Sequence, residues 1–275
     1  MQLWVTEYQT PSMGLSVKTT DMLLLEKSEF QQVAVVQTIQ FGKMLLLDGI
    51  IQTTETDEFV YHEMITQIAL NAHPDPKKVL IIGGGDGGAL REVVGHPAVE
   101  EGTMVEIDGL VVDASKKFFP HHSEGFDNPK ARLIIDDGIQ YVKDKQKAFD
   151  IMIVDSTDPI GPAVELFSEN FYSDAANSLN DDGMLVVQSE SPFFNADIIK
   201  NVYKKISASF PIVKLYLANV PTYPGGLWSF TVGSKKYDPA EINNPRPKFE
   251  PFKYYSEEMH KSSFVLPPFV KNIIS

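Results

Sequence analysis

The sequence predicts an α/β protein in which a small N-terminal antiparallel β domain precedes a doubly wound, mostly parallel sheet with helices on both faces. Apolar strand-like runs alternate with helix-like segments between residues 78 and 233, which predicts the parallel sheet. A glycine-rich turn joins the first of these strands to its helix. Residues 1–56 hold short strand-like runs instead, which predicts the β domain. We therefore expect domains at 1–56 and 57–275.

The acidic composition and the lack of cysteine restrict the possible partners and chemistry. A formal net charge of −13 argues against nucleic acid and anionic membranes as partners. Without cysteine, disulfides and thiolate metal sites are excluded. The first ten residues lack the pattern of a signal peptide, and no apolar run approaches the roughly 20 residues of a membrane span. We expect a cytoplasmic protein of enzyme-like size.

Short apolar runs separated by turns predict the strands of the N-terminal β domain. The sequence Asp48-Gly49 favours a hairpin between the last two of them. So small a sheet is marginal alone, so we expect it to cover the larger domain or to lie in an oligomer interface. The predicted strands are 22–26, 33–39, 44–47 and 50–54.

A helix with apolar residues at helical spacing, 55–72, joins this sheet to the larger domain. We expect the Pro-rich tail from residue 236 to wrap the surface, with one short helix near 256–261. The other predicted strands are 79–82, 103–107, 131–135, 150–154, 183–188, 212–217 and 227–233. The other predicted helices are 89–94, 109–119, 138–145, 169–179 and 196–210.

The glycine-rich turn fits the pattern G-x-G-x-x-G at Gly83, Gly85 and Gly88. It follows a strand and precedes a helix, and Glu106 lies near the end of the next strand. This order is typical of sites for adenosine-type ligands, because glycine lets the ligand approach the backbone and the acid accepts hydrogen bonds from ribose hydroxyls. The alternative is a glycine-rich turn in an unrelated α/β protein.

Acids or amides follow nearly every predicted parallel strand. Because the carboxyl ends of these strands meet at one edge of the sheet, we expect the side chains to share a site. The residues are Asp86, Glu106, Asp136, Asp137, Asp155, Asp158, Gln188 and Glu190. A single Asp after a strand often only caps the next helix, which is the alternative for Asp137 and more so for Asp136.

The ligand expected at this edge is cationic. No Lys or Arg lies in these motifs, which argues against a phosphate group and favours a positively charged adenosyl compound over NAD. The histidines lack the spacing of metal ligands, so we expect no metal site, and we expect His121 and His122 to lie in a solvated loop. An amine with a pKa near ~10 must lose a proton before it attacks, and a carboxylate at the edge can accept that proton.

These residues resemble a known family, the spermidine synthases or polyamine aminopropyltransferases, and the bacterial members in particular. The patterns DGxxQxxxxDEFxYHEM, at residues 48–64, and VDSxDPxGPA, at residues 154–163, carry the resemblance most specifically. Further matching stretches are 79–97, 105–120, 149–167 and 221–235. The resemblance implies a Rossmann-like methyltransferase domain beside the β domain, assembled as a homodimer or homotetramer.

The resemblance also implies a reaction. An aminopropyl group passes from decarboxylated S-adenosylmethionine, a co-substrate, to putrescine, giving spermidine and methylthioadenosine without a tightly bound cofactor. Asp86 would repel the carboxylate of ordinary S-adenosylmethionine, which favours the decarboxylated donor. A diamine N-methyltransferase dependent on S-adenosylmethionine and a catalytically inactive binding protein are the alternatives. The motifs leave open whether the acceptor is putrescine, cadaverine, agmatine or spermidine.

For the nucleoside, the resemblance implies roles for five residues. Glu106 would bind the ribose, and Asp137 with Gly138 would bind the adenine. Pro162 would line the adenine pocket. Gln31 would contact the nucleoside, although its neighbour Gln32 could take that position in a shifted register.

For the amines, the resemblance implies that His62 and Asp86 contact the amine ends and that Asp155 accepts the proton. The attacking amine would be oriented by Tyr61, Asp158, Gln188 and Tyr223. Tyr61 could instead be helix core and Tyr223 a structural turn residue. The connection 156–165 is longer than most, and we expect it to close over bound substrate.

Overall fold

The computed structural model describes residues 3–157, 161–244 and 252–275, except for the side chains of residues 161 and 162. The strands are β1 Leu3–Thr10, β2 Met13–Lys27, β3 Gln32–Thr38, β4 Lys43–Leu47, β5 Ile50–Thr54, β6 Lys78–Gly83, β7 Glu101–Glu106, β8 Ala131–Ile135, β9 Phe149–Asp155, β10 Leu179–Gln188, β11 Ile212–Asn219 and β12 Leu227–Ser234. The α-helices are α1 Glu58–Ala72, α2 Gly88–Gly95, α3 Gly109–Phe118, α4 Pro120–Ser123, α5 Gly138–Lys143, α6 Glu169–Ser178, α7 Ala196–Ser207, α8 Glu257–Ser263 and α9 Pro268–Ile273.

The first sheet is a five-stranded antiparallel meander in the order β1-β2-β3-β4-β5. It contains all the predicted strands, and it also contains β1 and the first half of β2, which the sequence analysis missed. These segments have no continuous apolar run, and Trp4, Tyr8 and Met13 are exposed. Hydrogen bonding between the backbones of β1 and β2, with Leu3 opposite Thr19, holds this edge of the sheet together. Because few of its side chains are buried, the sequence shows little apolar alternation there.

The second sheet has seven strands in the order β11-β12-β10-β9-β6-β7-β8. Strands β6 to β10 pair in parallel, and the hairpin of β11 and β12 adds to β10 in antiparallel orientation. Strand order reverses beside β6, because the chain proceeds from β6 to β7 on one side and later enters β9 on the other. Ligands in open sheets bind at such a reversal, outside the carboxyl ends of the strands. The predicted fold class is confirmed.

Most predicted helices and strands agree with the structure to within a few residues, but three differences matter. The tail forms two helices, α8 and α9, where one was predicted. Helix α4 and the 3-10 turn after it, Glu124–Asp127, were not predicted. The prediction that His121 and His122 lie in a solvated loop is wrong for His122. This side chain is 1% exposed, and its Nε2 lies 3.2 Å from Thr53 Oγ1.

The first sheet packs on the larger one through α3. Val33 and Leu45 of the sheet form one apolar cluster with Val111 and Phe119. The first sheet therefore covers the larger domain, which was one of the two expected arrangements. The division at residue 56 stays a proposal, and it agrees with the end of β5 at Thr54 and the start of α1 at Glu58. No helix in the described ranges is long and apolar enough to cross a membrane.

Helix α1 is the element that connects the two sheets. Nearly every residue of this helix is buried, because it packs between α2 and the second sheet. Asp57, just before the helix, joins three segments through its carboxylate. Its Oδ1 accepts the Thr54 hydroxyl at 2.5 Å, and its Oδ2 accepts the backbone N–H of Thr222 at 2.9 Å and the Thr222 hydroxyl at 2.7 Å. Asp57 thus fixes β5 against the loop that carries Tyr223.

Replacing Asp57 should destabilise the protein markedly. We expect Asp57→Ala to lower the free energy of unfolding by about 2–4 kcal/mol, because three buried donors lose a charged acceptor. Chemical denaturation measures this change. Asp75→Ala is the control, since that side chain is 66% exposed, and it should leave the midpoint unchanged within error. Equal midpoints for the two variants would contradict the role assigned to Asp57.

Candidate active site

A cleft lies at the carboxyl ends of β6, β7 and β9 and is closed on one side by the first sheet. It brings together most of the residues singled out in the sequence. Those that line it are Gln31, Tyr61, Asp86, Glu106, Asp137, Gly138, Asp155 and Tyr223. Gln31 lines the cleft whereas Gln32 is exposed, so the structure favours the first of the two registers.

The remaining predicted residues either lie away from the cleft or fall outside the residues that the structure describes. Gln188 lines a smaller adjoining pocket, and His62 lies behind Asp86. Asp136 is exposed and accepts the backbone N–H of Asp137, whereas the cap of α5 is Asp137 itself. Asp158 and the side chain of Pro162 lie outside the described residues, and so does part of the segment 156–165.

The glycine-rich turn brings the end of β6 against β9. Gly83 has a φ of +81°, and a Cβ there would lie 2.3 Å from the carbonyl oxygen of Asp155. The next residue, Gly84, donates its N–H to the same carbonyl at 2.8 Å. A Cβ on Gly85 would lie 2.9 Å from Glu106 Oε2. Glycine is therefore required where the turn passes both acids, because any larger residue would displace them.

Glu106 is held at the floor of the cleft by two backbone N–H groups. Its Oε2 accepts from Gly85 at 3.1 Å and its Oε1 from Asp108 at 2.8 Å. Burial, with the charges of Asp108 and Asp155, raises the pKa of Glu106 to about 7, although the two N–H groups lower it. Each carboxylate oxygen can accept a second hydrogen bond, so this side chain suits a ligand that carries two hydroxyl donors.

Asp137 combines the two roles that the sequence left open. Its Oδ1 caps α5 by accepting the N–H of Ile139 at 2.8 Å, and the residue also lines the cleft. A carboxylate accepts at both oxygens, so the cap leaves capacity for a ligand amino group. Across the cleft, Gln31 donates to Asp108 Oδ2 at 2.9 Å. The sequence analysis missed Asp108, although an Asp just before a helix is a frequent cap.

Asp155 ends β9 and receives a hydrogen bond of 2.7 Å from the Tyr61 hydroxyl. Burial and then the negative charge of Asp86 raise the pKa of Asp155 to about 6, against the opposing effects of His62 and Tyr61. Burial and the charge of Asp155 in turn raise the pKa of Tyr61, so its hydroxyl stays protonated and donates the hydrogen bond to Asp155. Tyr61 is therefore both buried core and part of the site.

Asp86, in the glycine-rich turn, is the second acid of the cleft. Its Oδ1 accepts the N–H of Gly88 at 2.7 Å, and its Oδ2 lies 3.2 Å from His62 Nε2. Burial raises the pKa of Asp86, but His62 and the Gly88 N–H lower it below its ordinary value. The carboxylate is thus ionised, which gives the cleft a fixed negative charge near Asp155.

A smaller pocket adjoins the cleft and shares Gln52, Tyr61, Ser156, Thr157 and Tyr223 with it. Its far lining includes Glu7 from β1, which is 6% exposed and accepts the Ile51 N–H at 2.8 Å. The sequence analysis did not identify Glu7, because a lone acid in a strand carries no motif. Tyr223 donates to the carbonyl of Gln52 at 2.8 Å and so joins the wall to the first sheet.

The geometry suits two organic ligands better than a metal. In the part of the chain that the structure describes, no group of three His, Cys, Asp or Glu side chains could hold a metal ion. The cleft instead offers a glycine turn and four acids, Asp86, Glu106, Asp137 and Asp155, and the smaller pocket offers a fifth, Glu7. Two cationic molecules could therefore lie end to end between Glu106 and Glu7.

Comparison with known proteins agrees with this geometry. A family profile for the spermine/spermidine synthase domain matches residues 58–244, and a profile for the spermidine synthase tetramerisation domain matches residues 3–55. The chain belongs to the spermine/spermidine synthase family. The family predicted from the motifs is confirmed.

Relatives in this family match the chain over nearly its whole length. The polyamine aminopropyltransferase of Desulforudis audaxviator is 52% identical and covers 98% of this chain and of its own. That of Bacillus subtilis is 46% identical and covers 99% of each. A spermidine synthase crystallised with the transition-state analogue AdoDATO superimposes with a TM-score of 0.95 at 43% identity, over 99% of this chain and 94% of its own. Spermidine synthase from Thermotoga maritima gives 0.93 at 41% identity, with the same coverage.

Proposed function

We propose that this protein is a spermidine synthase, which transfers an aminopropyl group from decarboxylated S-adenosylmethionine to putrescine. The observation that carries the proposal is the pair of acids, Asp86 and Asp155, beside a glycine turn and Glu106 in one cleft. That set matches a nucleoside joined to a cationic chain. The full-length similarity to polyamine aminopropyltransferases supports the same reaction.

The nucleoside of the donor lies across the first half of the cleft. Glu106 accepts hydrogen bonds from the ribose hydroxyls, and Asp137 accepts from the adenine amino group next to the backbone of Gly138. Gln31, held by Asp108, contacts the nucleoside from the first sheet. Pro162 keeps its proposed place in the adenine pocket on the strength of the family motif alone. No Lys or Arg lines the cleft in the described ranges, in agreement with a ligand that lacks phosphate.

Asp86 selects the donor by charge. The tail of decarboxylated S-adenosylmethionine ends in a bare ammonium group, which the ionised Asp86 attracts. Ordinary S-adenosylmethionine carries a carboxylate as well, and placing that group beside the partly buried carboxylate of Asp86 is costly. The site therefore favours aminopropyl transfer over methyl transfer.

The acceptor diamine extends from Asp155 into the smaller pocket. Tyr61 and Tyr223 flank the attacking amine, with Gln188 beside them in the smaller pocket. Asp158 keeps its proposed role toward this amine on the strength of the family motif alone. Glu7 lies in the far lining, where it can pair with the second ammonium group of the diamine. A diamine with a cation at each end matches an acid at each end of the pocket.

Asp155 accepts the proton that the attacking amine must lose. Its raised pKa brings it closer to that of the amine, which makes proton transfer near neutral pH more favourable. The nitrogen lone pair then attacks the carbon beside the sulfonium, and the carbon–sulfur bond breaks. The electron pair of that bond returns to sulfur, so methylthioadenosine leaves as a neutral thioether. Positioning the two cations in line supplies much of the acceleration.

We also propose that the protein is a homo-oligomer that associates through its first sheet. The match of residues 3–55 to a tetramerisation domain supports this, and so do the exposed apolar residues Met22, Leu25 and Ile39. The cytoplasmic location remains a proposal.

Product mass tests the proposed reaction. With putrescine and decarboxylated S-adenosylmethionine, we expect a product heavier than putrescine by one aminopropyl group, together with methylthioadenosine. With ordinary S-adenosylmethionine we expect no product. A methyl gain would instead support a diamine N-methyltransferase, and no turnover with either donor over a panel of diamines would support an inactive binding protein.

Removing the proton acceptor should slow turnover without preventing binding. We expect Asp155→Asn to lower kcat at least about a hundredfold, the usual contribution of a general base, while donor affinity stays close to that of the wild type. Steady-state kinetics and calorimetry measure the two quantities. Asp136→Asn is the matched control, since Asp136 is exposed and outside the cleft. Near-normal turnover of Asp155→Asn would remove Asp155 from this role.

Removing the charge of Glu7, at the far end of the smaller pocket, should weaken binding of the acceptor but not of the donor. We expect Glu7→Gln to raise the KM for putrescine by about tenfold, because one ammonium group loses its ion pair, while the KM for the donor is unchanged. Glutamine keeps the bond from the Ile51 N–H, so the sheet is preserved. Glu26→Gln, an exposed acid of β2, is the control. If the donor KM rose as much as that of putrescine, Glu7 would have another role.

A further inference from the structure

A chain of alternating charges runs back from Asp86 into the protein. The His62 ring, 2% exposed, lies between two carboxylates. Its Nε2 is 3.2 Å from Asp86 Oδ2 and its Nδ1 is 2.5 Å from Glu58 Oε2. An imidazole can donate to carboxylates at both nitrogens only when both are protonated, so this geometry requires the imidazolium form.

Glu58 is itself fixed by a second cation. Arg91 donates to both of its oxygens, through Nη1 at 3.1 Å and Nη2 at 2.9 Å. The Glu58 side chain is 1% exposed and that of Arg91 is 11% exposed. A bidentate pair of this kind fixes orientation as well as charge. The order of charges is therefore Asp86 negative, His62 positive, Glu58 negative and Arg91 positive.

The pKa directions agree with this order. Burial lowers the pKa of His62, but Asp86 and Glu58 raise it well above its ordinary value. Burial raises the pKa of Glu58, but His62 and Arg91 lower it by more. The neighbouring His122 is different, since burial lowers its pKa to about 4 and it stays neutral. Of the two histidines near Asp86, His62 is thus the cation and His122 is neutral.

The cleft needs this arrangement because Asp86 and Asp155 repel each other. Two carboxylates that share a buried site do not both ionise readily, and one of them takes up a proton. A cation directly behind Asp86 settles which acid stays charged. The His62 ring has little freedom to move, because a Cβ on Gly88 would lie 2.2 Å from it. Removing the charge of Glu58 would leave a buried imidazolium with one partner fewer.

We propose that Glu58 and Arg91 are positioning residues for the donor, which hold His62 as a cation so that Asp86 stays ionised toward the donor's ammonium tail. This inference rests on the proposed function. Neither residue touches the cleft, and both act through His62. The sequence gives no sign of their pairing, since they lie 33 positions apart on different helices.

A merely structural ion pair between α1 and α2 would have a different signature. Loss of such a pair would weaken every ligand of the cleft to a similar extent, or weaken only the fold. Loss of the charge behind Asp86 would weaken the ligand that carries the ammonium tail and spare methylthioadenosine, which lacks it. The ratio of the Kd for decarboxylated S-adenosylmethionine to the Kd for methylthioadenosine therefore distinguishes a positioning role from a structural one.

The test is Glu58→Gln, which keeps the shape of the side chain and removes its charge. By calorimetry we expect the Kd for decarboxylated S-adenosylmethionine to rise at least about tenfold, and the Kd for methylthioadenosine to change less than about twofold. Glu92→Gln is the control, because Glu92 also pairs with Arg91, at 3.1 Å, through a side chain that is 13% exposed. It should leave the ratio of the affinities as in the wild type.

Several outcomes would overturn the inference. Equal losses for both ligands would make the pair structural, and an unchanged ratio in Glu58→Gln would remove the link to Asp86. An equal effect of Glu92→Gln would do the same. The wild type is assayed first for aminopropyl transfer, so that failure of the proposed function is recognised separately.

A measurement on the wild type guards against a variant that does not fold. With ¹⁵N-labelled histidine, the nitrogen shifts of His62, assigned by comparison with His62→Gln, should show both ring nitrogens protonated at neutral pH. A neutral His62 ring would overturn the inference whatever the variants do.

Discussion

The site depends on two carboxylates held close together at the ends of neighbouring strands. Asp155 ends β9, and the turn after β6 brings Asp86 beside it, although each charge opposes ionisation of the other. The surroundings resolve this conflict differently for the two acids. His62 lies against Asp86 and favours its anion, whereas Asp155 has Tyr61 as a neutral hydrogen-bond donor and a raised pKa. One acid is thereby suited to bind a cation and the other to accept a proton.

The first sheet contributes side chains to the site. It closes the cleft with Gln31 and extends the smaller pocket with Glu7. Its position relative to the second sheet is fixed by contacts close to the cleft and the smaller pocket. Asp57 joins β5 to Thr222, and the next residue, Tyr223, bonds to the carbonyl of Gln52. A change in how the two sheets pack would therefore alter the smaller pocket directly.

The sequence was most informative where a local rule was strong. The apolar run before Gly83 predicted a buried strand, which the structure has as β6, and Glu106, at the end of the next strand, lines the cleft. The edge strand β1 was missed because backbone pairing holds it and burial leaves no pattern there. His122 was placed wrongly in solvent for a related reason. It is buried by packing against Phe119, which precedes its own short helix, and against Thr53, which is 69 positions away in the sequence.

The sequence by itself determined the family, the fold class and the set of acids at the edge of the sheet, because motifs and strand ends are local features of the chain. Only the tertiary structure decided the surroundings of each acid. Asp136 and Asp137 are neighbours with the same side chain, yet one faces solvent and the other lines the cleft. The ionisation of Asp86 depends on His62, and through it on Glu58 and Arg91, which meet only when α1 packs on α2. A charge is set by its nearest partners in space, and folding selects them from distant parts of the chain.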